Sequence, residues 1–166
     1  MTNSDSASSH AGPITEDKPA SVLAKLIVGV DDAAENLLLL QHLVESAGYS
    51  FIAAKSGLEG LNLLNRVVPR LILLDVEMPE MDGFETCRRM RADYTLPYTP
   101  IVFLTARNTQ DDVNRCVASG GNDFITKPFE PVKLLERLNY WTTRRINFDT
   151  ARQQRGSTFA LAGTPP

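Results

Sequence analysis

Cysteine and histidine are nearly missing from this chain, with two of each in 166 residues. Cys87 and Cys116 share no short spacing with each other or with His10 and His42, so a zinc site has no ligand set and a disulfide framework has no support. Long apolar runs are missing as well. Nothing approaches the stretch of about 18 apolar residues that reads as a membrane span, so no membrane association is expected. A dominant charge is also lacking: 17 Lys+Arg against 20 Asp+Glu leave a formal net charge of -3. Domains that track nucleic-acid phosphates carry a basic face, and direct nucleic-acid binding is therefore not expected.

What the chain does have is 43% hydrophobic residues, enough for one globular domain with tails. Its first residues, MTNSDSASSHAGPITEDKPAS, lack the basic-then-apolar layout of a secretory signal, and their composition cannot offset the entropy of folding. Residues 1–22 are read as a flexible tail, 23–146 as the domain, and 147–166, rich in Gly, Ser, Thr and Pro, as a second flexible tail. A cytoplasmic protein is expected.

From Lys25 the pattern alternates. KLIVGV reads as a strand, and Leu37, Leu40, Leu43, Val44 and Ala47 recur at helical spacing until Gly48. SFIAA, LILLD, IVFLTA and DFIT read as four further strands. GLEGLNLLNRVV, ended by Pro69, the stretch Gly83–Arg91, TQDDVNRCVASGG and the stretch from Pro131 to about Ile146 read as helices. Five βα units with near-continuous apolar strands predict an α/β, doubly wound, five-stranded parallel sheet with helices on both faces. Gly29 is expected to weaken the first strand slightly.

In such a sheet the carboxyl ends of the strands border the ligand crevice, and here they are polar. The first strand ends in Asp31 and Asp32, the third in Asp75, the fourth in Thr105, and the fifth runs on to Lys127. Each alone has an ordinary explanation: a helix cap, a turn, a strand end, a surface lysine. Together they do not. Three carboxylates about 4 Å apart repel by roughly 4 kcal/mol per pair at an effective dielectric near 20, and one lysine cannot neutralise all three. Partial protonation is one relief. A divalent cation is another, and hard oxygen ligands without imidazole or thiolate select Mg²⁺. Mg²⁺, an ammonium and a hydroxyl around Asp75 would form a receptor for a phosphoryl group on that carboxylate.

These residues resemble the receiver domain of two-component response regulators, similar to the single-domain chemotaxis type. The motifs are VDD (Val30 to Asp32), LLDVEMPEMDG (Leu73 to Gly83), FLTA (Phe103 to Ala106) and DFITKPF (Asp123 to Phe129), over about Lys25 to Ile146. The resemblance implies a flavodoxin-like fold with strand order 2-1-3-4-5. It implies that Asp75 accepts a phosphoryl group from a histidine kinase or histidine phosphotransfer protein. Asp32 and Asp75 would bind Mg²⁺ directly, Asp31 mainly through water, and the Glu77 backbone carbonyl would complete the protein ligands. Thr105 and Lys127 would hold the phosphoryl oxygens, with the Lys127-Pro128 bond cis. Thr105 and Phe124 would form the switch, Phe124 standing where many relatives carry Tyr. Glu77 and Arg107 occupy positions that tune hydrolysis in the family. Such a domain is no enzyme beyond assisting its own phosphorylation and dephosphorylation. Its downstream effector would bind the face of the fourth helix, fifth strand and fifth helix, with the chain monomeric or dimerising on phosphorylation. Two alternatives are a receiver piece regulating an output domain outside this chain, such as a cyclic-nucleotide enzyme or transcription factor, and a Mg²⁺-dependent phosphatase with an aspartyl nucleophile. The phosphatase pattern needs a second Asp as general acid, and Glu77 stands at that position.

Overall fold

Successive residues of a parallel strand point to opposite faces of the sheet, so strands covered on both sides need apolar side chains at nearly every position. LIVGV, LILLD and IVFLT meet that requirement and are buried along their whole length. In the computed structural model, which describes residues 25–92 and 98–144, they form the middle of one parallel sheet. Its strands are β1 (Leu26–Val30), β2 (Ser50–Ala54), β3 (Leu71–Asp75), β4 (Ile101–Thr105) and β5 (Asp123–Thr126), in spatial order β2-β1-β3-β4-β5. The helices are α1 (Ala34–Ser46), α2 (Gly57–Leu64), α3 (Gly83–Ala92) and α4 (Gln110–Ala118), with α5 over residues 131–144. The expected architecture and strand order are both observed. The expected tails lie outside the described residues.

Strand parity divides the core in two. Ile27, Leu71, Leu73, Val102 and Leu104 pack with Leu40 of α1 and its neighbours, and with Leu134 and Leu138 of α5. Val28, Val30, Ile72, Leu74 and Phe103 face the opposite way, onto side chains of α2, α3 and α4. Both cysteines sit in this second layer, buried and free of any disulfide. Burial raises both thiols, Cys116 to about 11, which removes them as nucleophiles at neutral pH.

Local chemistry sets the helix ends. Ser56 caps α2 by accepting from the Glu59 N–H, and Thr109 with Asp112 forms a reciprocal capping box on α4. Gly48, at φ 82°, turns the chain out of α1, with the Tyr49 N–H returning to the Val44 carbonyl. The second helix is shorter than the sequence suggests, closing at Leu64 instead of running to Pro69. A residue before proline is pushed out of helical geometry, and the Arg66 and Val67 N–H groups both fold back onto the Leu63 carbonyl.

Two glycines mark close approaches. Gly29 was expected to weaken β1, but a Cβ there would stand 2.4 Å from the Phe51 ring, so the missing side chain is what lets β2 lay that ring across β1. At Gly83 a Cβ would meet the Asp75 backbone oxygen at 2.1 Å. The start of α3 is thereby pressed against the end of β3, which fixes where the Asp75 carboxylate emerges. Backbone cannot retreat as a flexible side chain can. Gly83→Ala is therefore expected to destabilise the protein by about 1–3 kcal/mol, the range for overpacking, read as a lower urea midpoint at unchanged slope.

Candidate functional site

The carboxyl ends of β1, β3, β4 and β5 meet at one edge of the sheet, and their registers carry the polar residues there together. Asp75 is the last residue of β3, Thr105 the last of β4, opposite Thr126 of β5, and Lys127 follows β5 directly. Carboxylate oxygens of Asp31, Asp32 and Asp75 all lie within 4.8 Å of one another. Asp31 is fully buried, Asp75 is 2% exposed, and Asp32 is open to solvent.

Lys127 is the counter-ion of this group. Its Nζ stands 2.9 Å from Asp31 Oδ2 and 2.9 Å from Asp75 Oδ1, and its peptide bond to Pro128 is cis. Burial on its own would lower the ammonium's affinity for its proton. The bonds to Asp75 and Asp31 outweigh burial and leave the Lys127 pKa raised. For Asp75 the balance falls on the other side. Burial raises its carboxyl above the ordinary value, the charge of Asp31 adds to this, and the bond from Lys127 opposes it without cancelling it. One ammonium shared between two carboxylates leaves the cluster short of positive charge. The donors are carboxylate oxygens alone, with no imidazole or thiolate among them, and one is solvent-facing. That set fits a hard divalent cation of the Mg²⁺ class, which keeps part of its water shell.

The other expected site residues lie around this centre. The Thr105 hydroxyl accepts from the Arg107 N–H at 3.1 Å, and its carbonyl accepts from the Lys127 N–H. The Glu77 N–H points at Asp75 Oδ1 from 3.4 Å. Its carboxylate meets Arg107 Nε at 3.5 Å across the site mouth, with both side chains more than half exposed. Phe124 is half-buried against the layer of Val28 and Phe103. With Thr105, Phe84 and Cys116 it borders a cavity of about 10 Å³, room for roughly one water.

Three features escaped the sequence reading. Asn36, in the first turn of α1, donates its side-chain amide to both Asp31 oxygens, at 3.2 and 3.0 Å. Its position five residues after Asp31 was the available signal. Glu80 has φ 66° and centres a three-residue γ-turn closed by the Met81 N–H onto the Pro79 carbonyl, a strained conformation in the loop leaving Asp75. Arg115 of α4 lays its guanidinium 4.3 Å over the Phe84 ring and reaches Asp82 Oδ2 at 3.5 Å. Asp82 in turn caps α3 through the Glu85 N–H.

Comparison with known proteins agrees with this geometry. A family model described as the response regulator receiver domain matches residues 27–139. The response regulator PleD of Caulobacter vibrioides is 37% identical over 134 residues, covering 81% of this chain and 29% of PleD, so the chain spans less than a third of that relative. The polar-differentiation response regulator DivK of Brucella ovis is 32% identical over 116 residues, 70% of this chain and 94% of DivK. Among solved structures, the receiver domain of the Pseudomonas aeruginosa sensor histidine kinase PA1611, which holds a magnesium ion coordinated in its active site cleft, matches with a TM-score of 0.67 and 29% identity. That match covers 72% of this chain and 98% of the receiver domain.

The raised Asp75 pKa gives a pH dependence with a definite sign. The folded protein holds this proton more tightly than the unfolded chain, so the stability it contributes is present below the ordinary value of 3.8 and is lost as pH rises through the raised value. Asp75→Asn removes the cost of ionising a buried carboxyl. In EDTA it is expected to melt a few degrees above the parent at pH 7, with the gap closing as pH falls toward 4. A constant gap across that range would show that Asp75 does not carry the dependence.

Proposed function

The chain belongs to the response regulator receiver family of two-component signalling, and from that premise we propose that Asp75 accepts a phosphoryl group from a histidine kinase or a histidine phosphotransfer protein. The observation that carries the proposal is the placement of Asp75: a nearly buried carboxylate at the end of β3, beside Asp31 and Asp32 and 2.9 Å from the Lys127 ammonium.

In the proposed reaction an Asp75 oxygen attacks the phosphorus of the donor's phosphohistidine. The new bond is O–P, the bond that breaks is the donor's P–N, and its electron pair stays on the imidazole nitrogen of the partner. Mg²⁺ held by Asp32 and Asp75, by Asp31 mainly through water and by the Glu77 carbonyl would supply positive charge to the transferring oxygens. The chain's own groups do the rest. Gly83 and the end of β3 hold the nucleophile still. Lys127 turns its ammonium from the carboxylates to a phosphoryl oxygen, and the Thr105 hydroxyl donates to another.

A hydroxyl drawn toward the phosphoryl group leaves the cavity it shares with Phe124, and the Phe124 ring moves into the space released. Phe124 has no hydroxyl to hydrogen-bond in an outward position, so packing alone sets its balance between positions. The face that changes includes α4, β5 and α5. Along it lies a groove of about 390 Å³ bordered by Phe124, Lys133, Arg137 and Tyr140, and we assign the effector to this face. A second reading is favoured by the 29% of PleD that this chain spans: a receiver governing an output domain on a longer polypeptide. Under either reading Asp75 and its surroundings perform the same step.

The direct test is intact-mass spectrometry after incubation with acetyl phosphate and Mg²⁺. One phosphoryl adduct is expected, absent in Asp75→Asn and absent in EDTA; an adduct that survives either control refutes the assignment. A second expectation concerns the Glu77–Arg107 pair at the mouth. An exposed pair contributes at most about 1 kcal/mol, or roughly fivefold in a rate. Arg107→Ala is expected to shorten the lifetime of the phosphorylated form by up to that factor, followed by adduct decay, and an unchanged lifetime would dismiss the pair as a barrier to water.

A further inference from the structure

A carboxylate with no exposure to water has to find all of its hydrogen bonds inside the protein. Asp31 finds them from three donors. The Ala33 N–H reaches Oδ1 at 2.9 Å, Lys127 Nζ reaches Oδ2 at 2.9 Å, and the Asn36 amide spans both oxygens. These donors are not equivalent. Lys127 brings a full positive charge to the face where a divalent cation and a phosphoryl group would sit, and the proposed reaction requires it to turn away. The Ala33 N–H holds one oxygen only and leaves the carboxylate free to swing about its Cβ–Cγ bond. Asn36 fixes that rotation by donating to both oxygens, and as a neutral amide it neither repels a cation nor competes with one as a counter-charge.

We propose that Asn36 is a positioning residue, which keeps the Asp31 carboxylate aimed into the cluster with Asp32 and Asp75 when Lys127 has left it. The inference rests on the metal-dependent reading above and deepens it by assigning the hold on the Asp31 carboxylate to a residue outside the acidic triad. Partners behind a metal-binding side chain set its orientation, and losing one typically weakens metal binding by about tenfold or more. Asn36 is half-buried in the first turn of α1, where both alanine and leucine are better helix formers than asparagine, so substitution does not endanger the helix.

The test is a Mg²⁺ titration of the full chain followed by amide NMR shifts, comparing the parent with Asn36→Ala and Asn36→Leu, alongside thermal melting of all three in EDTA. Leucine removes the donor and keeps the volume, so it separates hydrogen bonding from packing, and it also stands in should the alanine variant not fold. Both variants are expected to bind Mg²⁺ about tenfold more weakly than the parent, and to melt a few degrees lower in EDTA because the buried Asp31 carboxylate loses one of its donors, while still unfolding cooperatively. Either variant binding within twofold of the parent overturns the proposal: for alanine the amide is then idle, and for leucine only the filled space matters. A parent protein with no saturable Mg²⁺ binding removes the metal reading itself, and the Asn36 proposal falls with it. That failure is distinguishable because it is seen in the parent before any variant is compared.

Discussion

Repulsion among three carboxylates gathered at one edge of a parallel sheet is the constraint on which the rest of the structure depends. The fold brings them together because β1 and β3 are neighbours in register, β3 ending in Asp75 and β1 passing directly into Asp31 and Asp32 at the same edge. Apolar strands cannot relieve the charge, so relief comes from outside the sheet: a lysine from beyond β5, an amide from α1 and N–H groups that turn inward. Each helper depends on an element being where it is. The sheet order places β5 two strands from β3, near enough for the stem of Lys127 to cross over β4 and reach both Asp75 and Asp31. A wider sheet insertion between β3 and β5 would leave the acids without their counter-ion.

The backbone architecture was legible because apolar density decides it. LILLD begins and ends where the sequence suggests, since a strand buried on both faces admits few polar residues and its closing Asp75 marks the sheet edge, and the half-exposed edge strand DFIT also matches its expected bounds. Legibility failed where an interaction partner is distant in sequence. Gly29 looked like a weak point in β1 because its use lies in Phe51, 22 residues on and on the neighbouring strand. The end of α2 is a second departure: amphipathic spacing continues through Val67 and Val68, but the helix closes at Leu64, where the Arg66 and Val67 N–H groups both turn onto the Leu63 carbonyl. At the site, the acids, Thr105 and Lys127 were recognisable as a pattern of strand ends. Asn36 was not, since an asparagine in a first helical turn is ordinary until the carboxylate it faces is known. The positive φ of Glu80 carries no sequence signal of the kind that glycine would give.

The two core layers serve different ends. The α1 and α5 side packs aliphatic side chains with Phe129, Phe51 and Trp141 and is closed by ties such as the Tyr49 hydroxyl to Thr142 and Arg70 to the Thr142 carbonyl. The α4 side carries aromatic rings, a small cavity and an arginine stacked on Phe84. Unfilled space permits small side-chain rotations that close packing resists. Arg115 joins the two ends of this side, since one guanidinium touches both the wall of the Thr105 cavity and the carboxylate that caps α3. In the proposed switch, a shift at Thr105 would therefore reach the α3 side of the domain as well as the α4 face.

The γ-turn at Glu80 belongs to a loop that leaves Glu77 and Glu80 exposed, Asp32 of the acidic cluster is exposed as well, and Arg107 pairs with Glu77 at the mouth. Among these exposed side chains the carboxylates outnumber the guanidinium, so their summed charge is negative. Under the proposed function, a donor carrying its anionic phosphoryl group would approach through this charge. Productive encounter then favours donors that surround their phosphohistidine with lysine or arginine, and for such donors the association rate falls as ionic strength shortens the reach of the field to about 8 Å at physiological salt. Discrimination between donors would begin at that distance, before any side chain of the pair has touched.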